Sequence, residues 1–279
     1  MIKKKVKLIF IFIPVTPQIN KMTWKEEKKK LGKEITCLLY EKGLIKTWYR
    51  DNPGGWTLVS GLWSPFYIQL RPLSSYPELL RKVGYALGKM VIEECKEVNK
   101  VVGVAMTGIP LAVAISLQTD ISAGFTRKLE HVRSADDFKR NIQSYGEHTL
   151  VEGEFEPDDR IAVIDDLATK FDSKLVAIEQ ISQEARKRGF KLECKDVVVL
   201  LDREQGAAEV ASKHGISFHS LIPFKSKGIG WLKNSLSEIE YKVITEYLRD
   251  EKKYQDARVQ EELYDLPRST RRTQRHKKA

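Results

Sequence analysis

Apolar and polar positions alternate along the chain in blocks that change period several times. Residues 24 to 41 repeat apolar positions at helical spacing, and residues 76 to 98 do so again through Leu79, Leu80, Val83, Leu87, Met90 and Val91. Between them the turn-rich run 51 to 55 and the segment 56 to 71 predict two short strands around Ser60-Gly61. Three aliphatic runs predict buried strands at 101 to 106, 161 to 164 and 196 to 201, and weaker ones lie at 123 to 126 and 216 to 221. Helical patterns follow at Leu111, at 174 to 188 ending on Gly189, at 207 to 213 before His214-Gly215, and from Trp231 to about Tyr264. Strands alternating with helices predict an α/β domain with a mainly parallel sheet. A polar stretch from Arg127-Lys128 to Glu152-Gly153 is long for a connection inside a compact domain, which is typical of lids and binding loops; 136 to 142 could form a short helix within it.

Two of the strands stop on ionic clusters. Residues 161 to 173, Ile-Ala-Val-Ile-Asp-Asp-Leu-Ala-Thr-Lys-Phe-Asp-Ser, read as a buried strand, a tight loop and a helix start. That places Asp165 and Asp166 at the carboxyl edge, where open α/β sheets bind ligands, beside helix-opening N–H groups that attract phosphate. Two carboxylates beside an anion site suit a sugar phosphate, the carboxylates accepting hydrogen bonds from ribose hydroxyls; the bland alternative is a solvated Asp-Asp turn. The run 196 to 201 ends likewise at Asp202-Arg203-Glu204-Gln205-Gly206. Thr107-Gly108-Ile109-Pro110 breaks the chain between strand and helix, where a glycine lets backbone approach an anion or simply makes a turn.

Composition adds a bound rather than a function. The 279 residues are 42% apolar and 31% charged, ordinary for one large or two small globular domains. The net charge of +10 sits in the termini: residues 1 to 21 carry five lysines and no acid, and 268 to 279 carry six basic residues and no acid, leaving the body at about −1. The basic tail is expected to be disordered and at most a weak nonspecific nucleic-acid contact, otherwise a solubilising tail. Cys37, Cys95 and Cys194 show no CxxC spacing, so neither a disulfide framework nor a zinc site is indicated, and a reducing cytoplasm is the simplest compartment. The apolar run 8 to 15 is too short to span a bilayer and is broken by Pro14. Residues 1 to 21 read as an extension outside the fold, Met22 being an alternative start.

Six stretches in order resemble a type I phosphoribosyltransferase of the orotate branch, including the form fused into UMP synthase: Ser60-Gly61 with Ser64-Pro65-Phe66-Tyr67, Thr107 to Pro110, Arg127-Lys128, Tyr145-Gly146 through Gly153, the 161 to 173 motif, and Leu201 to Gly206. The resemblance implies a phosphoribosyltransferase-like domain over 22 to 224 with a small N-terminal hood, followed by a helical extension (225 to 267) and the tail (268 to 279). It implies transfer of phosphoribosyl from phosphoribosyl pyrophosphate to orotate with Mg²⁺ in pyrimidine synthesis, in a homodimer whose lids reach across. By position, Asp165, Asp166, Arg127 and Lys128 would be catalytic. Thr107, Gly108, Thr169, Lys170, Phe171, Asp172 and Ser173 would hold phosphoribosyl pyrophosphate; Arg203, Thr169, Phe66 and Tyr67 would hold orotate. A guanidinium fork at Arg203 matches a planar carboxylate, the alternative being an ion pair with Asp202 or Glu204.

The chain departs from the family pattern at three places. Lys170-Phe171-Asp172 replaces small residues in the phosphate loop, setting a carboxylate where a phosphate binds. Val59 replaces a lysine before the Ser-Gly pair. The lid carries an insertion and has Gln143 where a lysine is expected, with Lys139 or Arg140 as substitutes; His131 and His148 read as acid-base candidates or solvated surface histidines. These departures leave open a catalytically weakened paralogue that binds a ligand or partner.

Overall fold

The computed structural model describes residues 22–129, 132, 134–141 and 149–276, with the side chains of 141 and 267–276 outside the description. The extension 1 to 21, His131, Gln143, Tyr145-Gly146 and His148 lie outside the described residues.

Helix α1, Trp24–Glu41, starts where Thr23 and Glu26 form a reciprocal capping box, which satisfies two of the orphan N–H groups of the first turn. The hood follows as two antiparallel pairs. β1 (Ile45–Thr47) pairs with β4 (Phe66–Ile68), and β2 (Trp56–Thr57) with β3 (Trp63–Ser64), flanking Ser60-Gly61 as the turn signals predict. Helix α2, Pro77–Glu94, leads into a six-stranded sheet of order β10-β9-β8-β5-β6-β7. Its strands are β5 (Lys100–Gly103), β6 (Ser122–Thr126), β7 (Val151–Glu152), β8 (Arg160–Ala168), β9 (Glu193–Asp202) and β10 (Ser217–Pro223). All pairings are parallel except the short antiparallel edge β6–β7. Helices α3 (Gly108–Thr119), α4 (Ala135–Asn141), α5 (Asp172–Lys187) and α6 (Ala207–Lys213) are the connections.

The pleat divides the core. Ala162, Ile164, Val198 and Leu200 face α1, α2, α3 and the hood, whereas Ile161, Val163, Val197 and Val199 face α4, α5 and α6. The sheet therefore has both faces covered, as its continuous aliphatic runs require.

Several boundaries differ from the sequence pattern: β5 ends at Gly103 rather than 106, and α3 opens at Gly108 rather than Leu111. β8 does not stop at Ile164 but runs through both acids to Ala168, and α5 begins at Asp172. The reason lies nine residues beyond Asp165: Lys174 pairs with it inside the fold, so the charge does not end the strand. The expected disordered tail is also corrected. Beyond α7 (Ile229–Trp231) and α8 (Glu238–Arg249), helix α9 runs Ala257–His276 and carries most of the basic stretch. Its Arg and Gln are good helix formers, and Leu263 and Leu266 anchor it on the core.

The extension packs on the hood. Trp63 stacks on Tyr254 at 6.5 Å, and Gln255 bonds both the N–H and the carbonyl of Trp63 at 2.8 and 3.2 Å. Glu240 accepts from Thr47, and the Leu263 carbonyl accepts the Trp48 indole N–H at 3.1 Å. Pro267, four residues on, has no N–H to offer that carbonyl, so the indole satisfies a group the helix leaves open.

Candidate active site

The loops after β5, β6, β8 and β9 leave the same carboxyl edge, so the sheet gathers Thr107, Arg127-Lys128, 169 to 173 and Arg203 there. Close backbone packing sets the first of these. A Cβ on Gly108 would lie 2.4 Å from the Ile164 carbonyl, and one on Gly103 would lie 2.5 Å from the Gly108 carbonyl, so only glycine lets α3 descend onto β8. The Gly108 N–H is given to Val104 at 2.9 Å. Gly108 thus acts through packing, leaving Met106 and Thr107 at the surface of this loop.

The two acids near the end of β8 touch through their side chains. Asp165 points toward α5, where its Oδ2 lies 2.7 Å from Lys174 Nζ, and its Oδ1 accepts the Asp166 N–H at 2.9 Å. Asp166, next along the strand, is half-buried. Burial, then the neighbouring Asp165 charge, pushes its carboxyl up to about 7. Lys174 was not among the residues expected here. Its sequence signal is a lysine at the i, i+3, i+7 spacing of Ala177 and Ile181, the buried face of α5.

The phosphate-loop candidates divide by exposure. Lys170, Asp172 and Ser173 are exposed and Thr169 is half-buried, but Phe171 is fully buried and packs edge-on against Phe218 at 5.6 Å. Its side chain belongs to the core, and only its backbone faces the loop. Phe171 is also the N-cap of α5 and supplies no capping side chain; its carbonyl takes the Lys174 and Leu175 N–H groups at 3.1 Å, so only the Asp172 and Ser173 N–H groups at the start of this 16-residue helix are left for an acceptor.

The base-site candidates divide similarly. Phe66 is 1% exposed, wedged between Phe224 at 5.4 Å and Tyr247 at 5.8 Å, while Tyr67 is half-buried and stacks on Trp56 at 6.0 Å. Phe66 is therefore a platform and Tyr67 the aromatic with accessible surface. Arg203 lies over the Phe66 ring at 5.5 Å, its N–H bonded to Ala168 at 2.9 Å. The ion-pair alternative for Arg203 fails. Asp202 accepts the Glu204 N–H at 2.8 Å and Glu204 accepts the Ser226 N–H at 2.7 Å, and among the described residues no carboxylate forms an ion pair with Arg203. Burial lowers its pKa, with Tyr247 and Glu251 acting the other way.

Arg127 and Lys128 are exposed. The Arg127 backbone is pinned by its N–H to Leu150 at 3.0 Å and by Gln180 to its carbonyl at 2.9 Å, while the guanidinium reaches only a loose 3.8 Å contact with Glu152. Val59 is fully exposed at the hood turn. Of the lid's substitute cations, Lys139 lies 3.5 Å from Glu179 and Arg140 pairs with Asp137 at 2.6 Å.

Comparison with known proteins gives the family. No family model matches the chain. The orotate phosphoribosyltransferase of Saccharolobus solfataricus is 30% identical over 198 residues, spanning 70% of this chain and 89% of that protein. Among solved structures, Leishmania donovani UMP synthase superposes with a TM-score of 0.60 at 25% identity, covering 82% of this chain and 44% of its own. Orotate phosphoribosyltransferase from Aeropyrum pernix superposes at 0.56 with 24% identity, covering 72% of this chain and 97% of its own; at that identity the likeness speaks to the fold.

Proposed function

Because the chain belongs to the orotate phosphoribosyltransferase family, we propose that it transfers the phosphoribosyl group of phosphoribosyl pyrophosphate to N1 of orotate in pyrimidine synthesis, releasing pyrophosphate. The observation that carries the reading is Arg203. A half-buried guanidinium set on an aromatic face, with no carboxylate ion-paired to it among the described residues, is an anion receptor, and orotate offers a planar carboxylate that a guanidinium fork can hold.

The other residues fit roles around it. The uncapped start of α5 takes the 5′-phosphate, with Thr169, Lys170 and Ser173 at its rim. Asp166 lies close to the ribose, where a carboxylate stabilises the oxocarbenium character that develops as the glycosidic bond lengthens. Asp165, held by Lys174, fixes the end of β8 and raises the basicity of Asp166. Arg127 and Lys128 lie at the base of the lid and answer the charge growing on the departing pyrophosphate.

Mg²⁺ fits this donor set. It favours oxygen ligands, retains waters and is held by one or two carboxylates together with substrate phosphates, which Asp166 and the pyrophosphate supply. Bound there, it would neutralise charge on the leaving group. A homodimer in the cytoplasm completes the reading, supported by the apolar outer face of α3, where Val113 and Leu117 are exposed. Among the described residues no helix is long and apolar enough to cross a membrane.

The test is incubation of the purified chain with phosphoribosyl pyrophosphate, Mg²⁺ and a panel of bases. Orotate is expected to be consumed, and Arg203→Gln should raise the KM for orotate by more than about tenfold, the worth of one charged hydrogen bond, while leaving that for phosphoribosyl pyrophosphate near its starting value. Binding of both ligands without turnover would instead identify a ligand-binding paralogue.

A further inference from the structure

At the amino end of the sheet, on the face covered by α1 and α2, four side chains converge that the proposed reaction does not use. Asp196 in β9 pairs in register with Ser217, and His219 stands two residues further along β10, so Asp196 and His219 project to the same side. Cys95 caps the end of α2, its N–H bonded to Val91 at 3.1 Å. One ligand atom from each of Cys95, Asp196 and His219 lies within 4.8 Å of the others, and His219 Nε2 is 2.9 Å from Asp196 Oδ1.

A histidine stands between two carboxylates, and a thiol that is 6% exposed completes the group, hydrogen-bonded to Asp196. The surroundings orient the imidazole. His219 Nδ1 faces Glu94 Oε2 at 3.2 Å, and Glu94 is itself held by the Trp24 indole at 2.8 Å and by Lys28 at 2.8 and 2.9 Å. A carboxylate fixed on one ring nitrogen sets the tautomer and turns the other nitrogen outward as a ligand.

We propose that Cys95, Asp196 and His219 form a three-ligand site for a zinc-class divalent cation, with Glu94 as the residue that positions the imidazole. A thiolate, an imidazole and a carboxylate make a donor set for zinc rather than for magnesium or calcium, which take oxygen alone. The cation enters between Asp196 and His219, replacing their hydrogen bond, and the Cys95 thiol proton leaves to solvent as the thiolate binds. Water takes the fourth position. Access is open on both sides, from a groove of about 970 Å³ lined in part by Glu94 and His219 and a cleft of about 350 Å³ lined in part by Glu94 and Asp196. The cluster stands six residues before Asp202 on the same strand, roughly 20 Å from the substrate edge, so its role is to tie the end of α2 to β9 and β10.

The test uses the full chain, stripped with a chelator and titrated with Co²⁺. Saturable binding with a thiolate-to-cobalt charge-transfer band is expected, displaced by Zn²⁺, lost in Cys95→Ser and retained in Cys37→Ser and Cys194→Ser. Glu94→Gln should weaken Zn²⁺ about 10- to 100-fold, the usual effect of losing such a partner. X-ray absorption on the zinc-loaded native protein needs no variant and should find one sulfur at about 2.3 Å. Absence of saturable binding, a band that survives Cys95→Ser, or a zinc shell without sulfur would each overturn the site.

Discussion

Lys174 Nζ lies 2.7 Å from Asp165 Oδ2, and the two side chains are 3% and 9% exposed. A pair this deep is costly to break from one side, because the remaining charge loses its partner without regaining water. Lys174→Met is expected to destabilise the protein by about 3–5 kcal/mol, and adding Asp165→Asn to it should restore much of the loss. Urea unfolding of both variants at neutral pH checks this; equal stability of the single variant and the parent would remove Lys174 from its structural role.

Asp166 sets a pH dependence of defined sign. Its folded carboxyl holds a proton up to about 7, whereas in the unfolded chain it ionises in the ordinary aspartate range. The folded state therefore binds more protons between these values. The group's stabilisation is full below the unfolded pKa, declines as pH rises toward 7 and is flat beyond. Asp166→Asn should gain stability relative to the parent across that window, on the order of 2 kcal/mol after allowance for solvent near the rim. Denaturation series from pH 4 to 8 would show parallel curves if Asp166 titrates normally.

The carboxylate of Asp172 opposes a phosphate at the start of α5. It is exposed in the first turn, so screening reduces the Coulomb penalty to about 1–2 kcal/mol, roughly tenfold in affinity. Asp172→Asn is expected to tighten phosphoribosyl pyrophosphate by that factor at a cost of about 0.3–1 kcal/mol in helix stability. Phe171 must stay in this experiment, since emptying a buried phenyl site costs about 3–5 kcal/mol. Calorimetric titration with Mg²⁺ present measures the change, and unaltered affinity would mean the carboxylate is turned away from the anion.

Leu117 is 78% exposed on α3, near Val113 at 46%. If this face joins two copies of the chain, Leu117→Glu should convert a dimer to a monomer in light scattering at micromolar concentration, with far-ultraviolet circular dichroism unchanged. A monomeric parent protein would count directly against the interface.

Elements whose pattern is local were legible in the sequence. The expected helix over 24 to 41 coincides with α1, and the hood pairs flank Ser60-Gly61, because amphipathic period and turn residues settle them within a short window. Long-range contacts hid the rest. Nothing near Asp165 indicates that β8 continues through it, since its counter-charge lies on the following helix. Phe66 and Phe171 sit within motifs that resemble binding segments, yet each side chain is claimed by aromatic neighbours from other elements, Phe224 and Tyr247 for one and Phe218 for the other. Arg203 was the reverse case. Expected to hold orotate, with an ion pair to Asp202 or Glu204 as the alternative, it forms no such pair, because those two carboxylates are spent on backbone N–H groups.

The seating of α8 and α9 on the hood imposes an order on the chain's own birth. Trp48 and Trp63 leave the ribosome early, but Leu263, Gln255 and Tyr254 follow some 190 to 215 residues later. At roughly 5–20 residues per second, the hood waits on the order of ten seconds or more with its indoles uncovered. The sheet can assemble in that interval while the hood cannot complete its core. A chain released after β10 but before residue 238 would thus present a finished sheet beneath an adhesive, half-built cover, the state in which chaperones would find it.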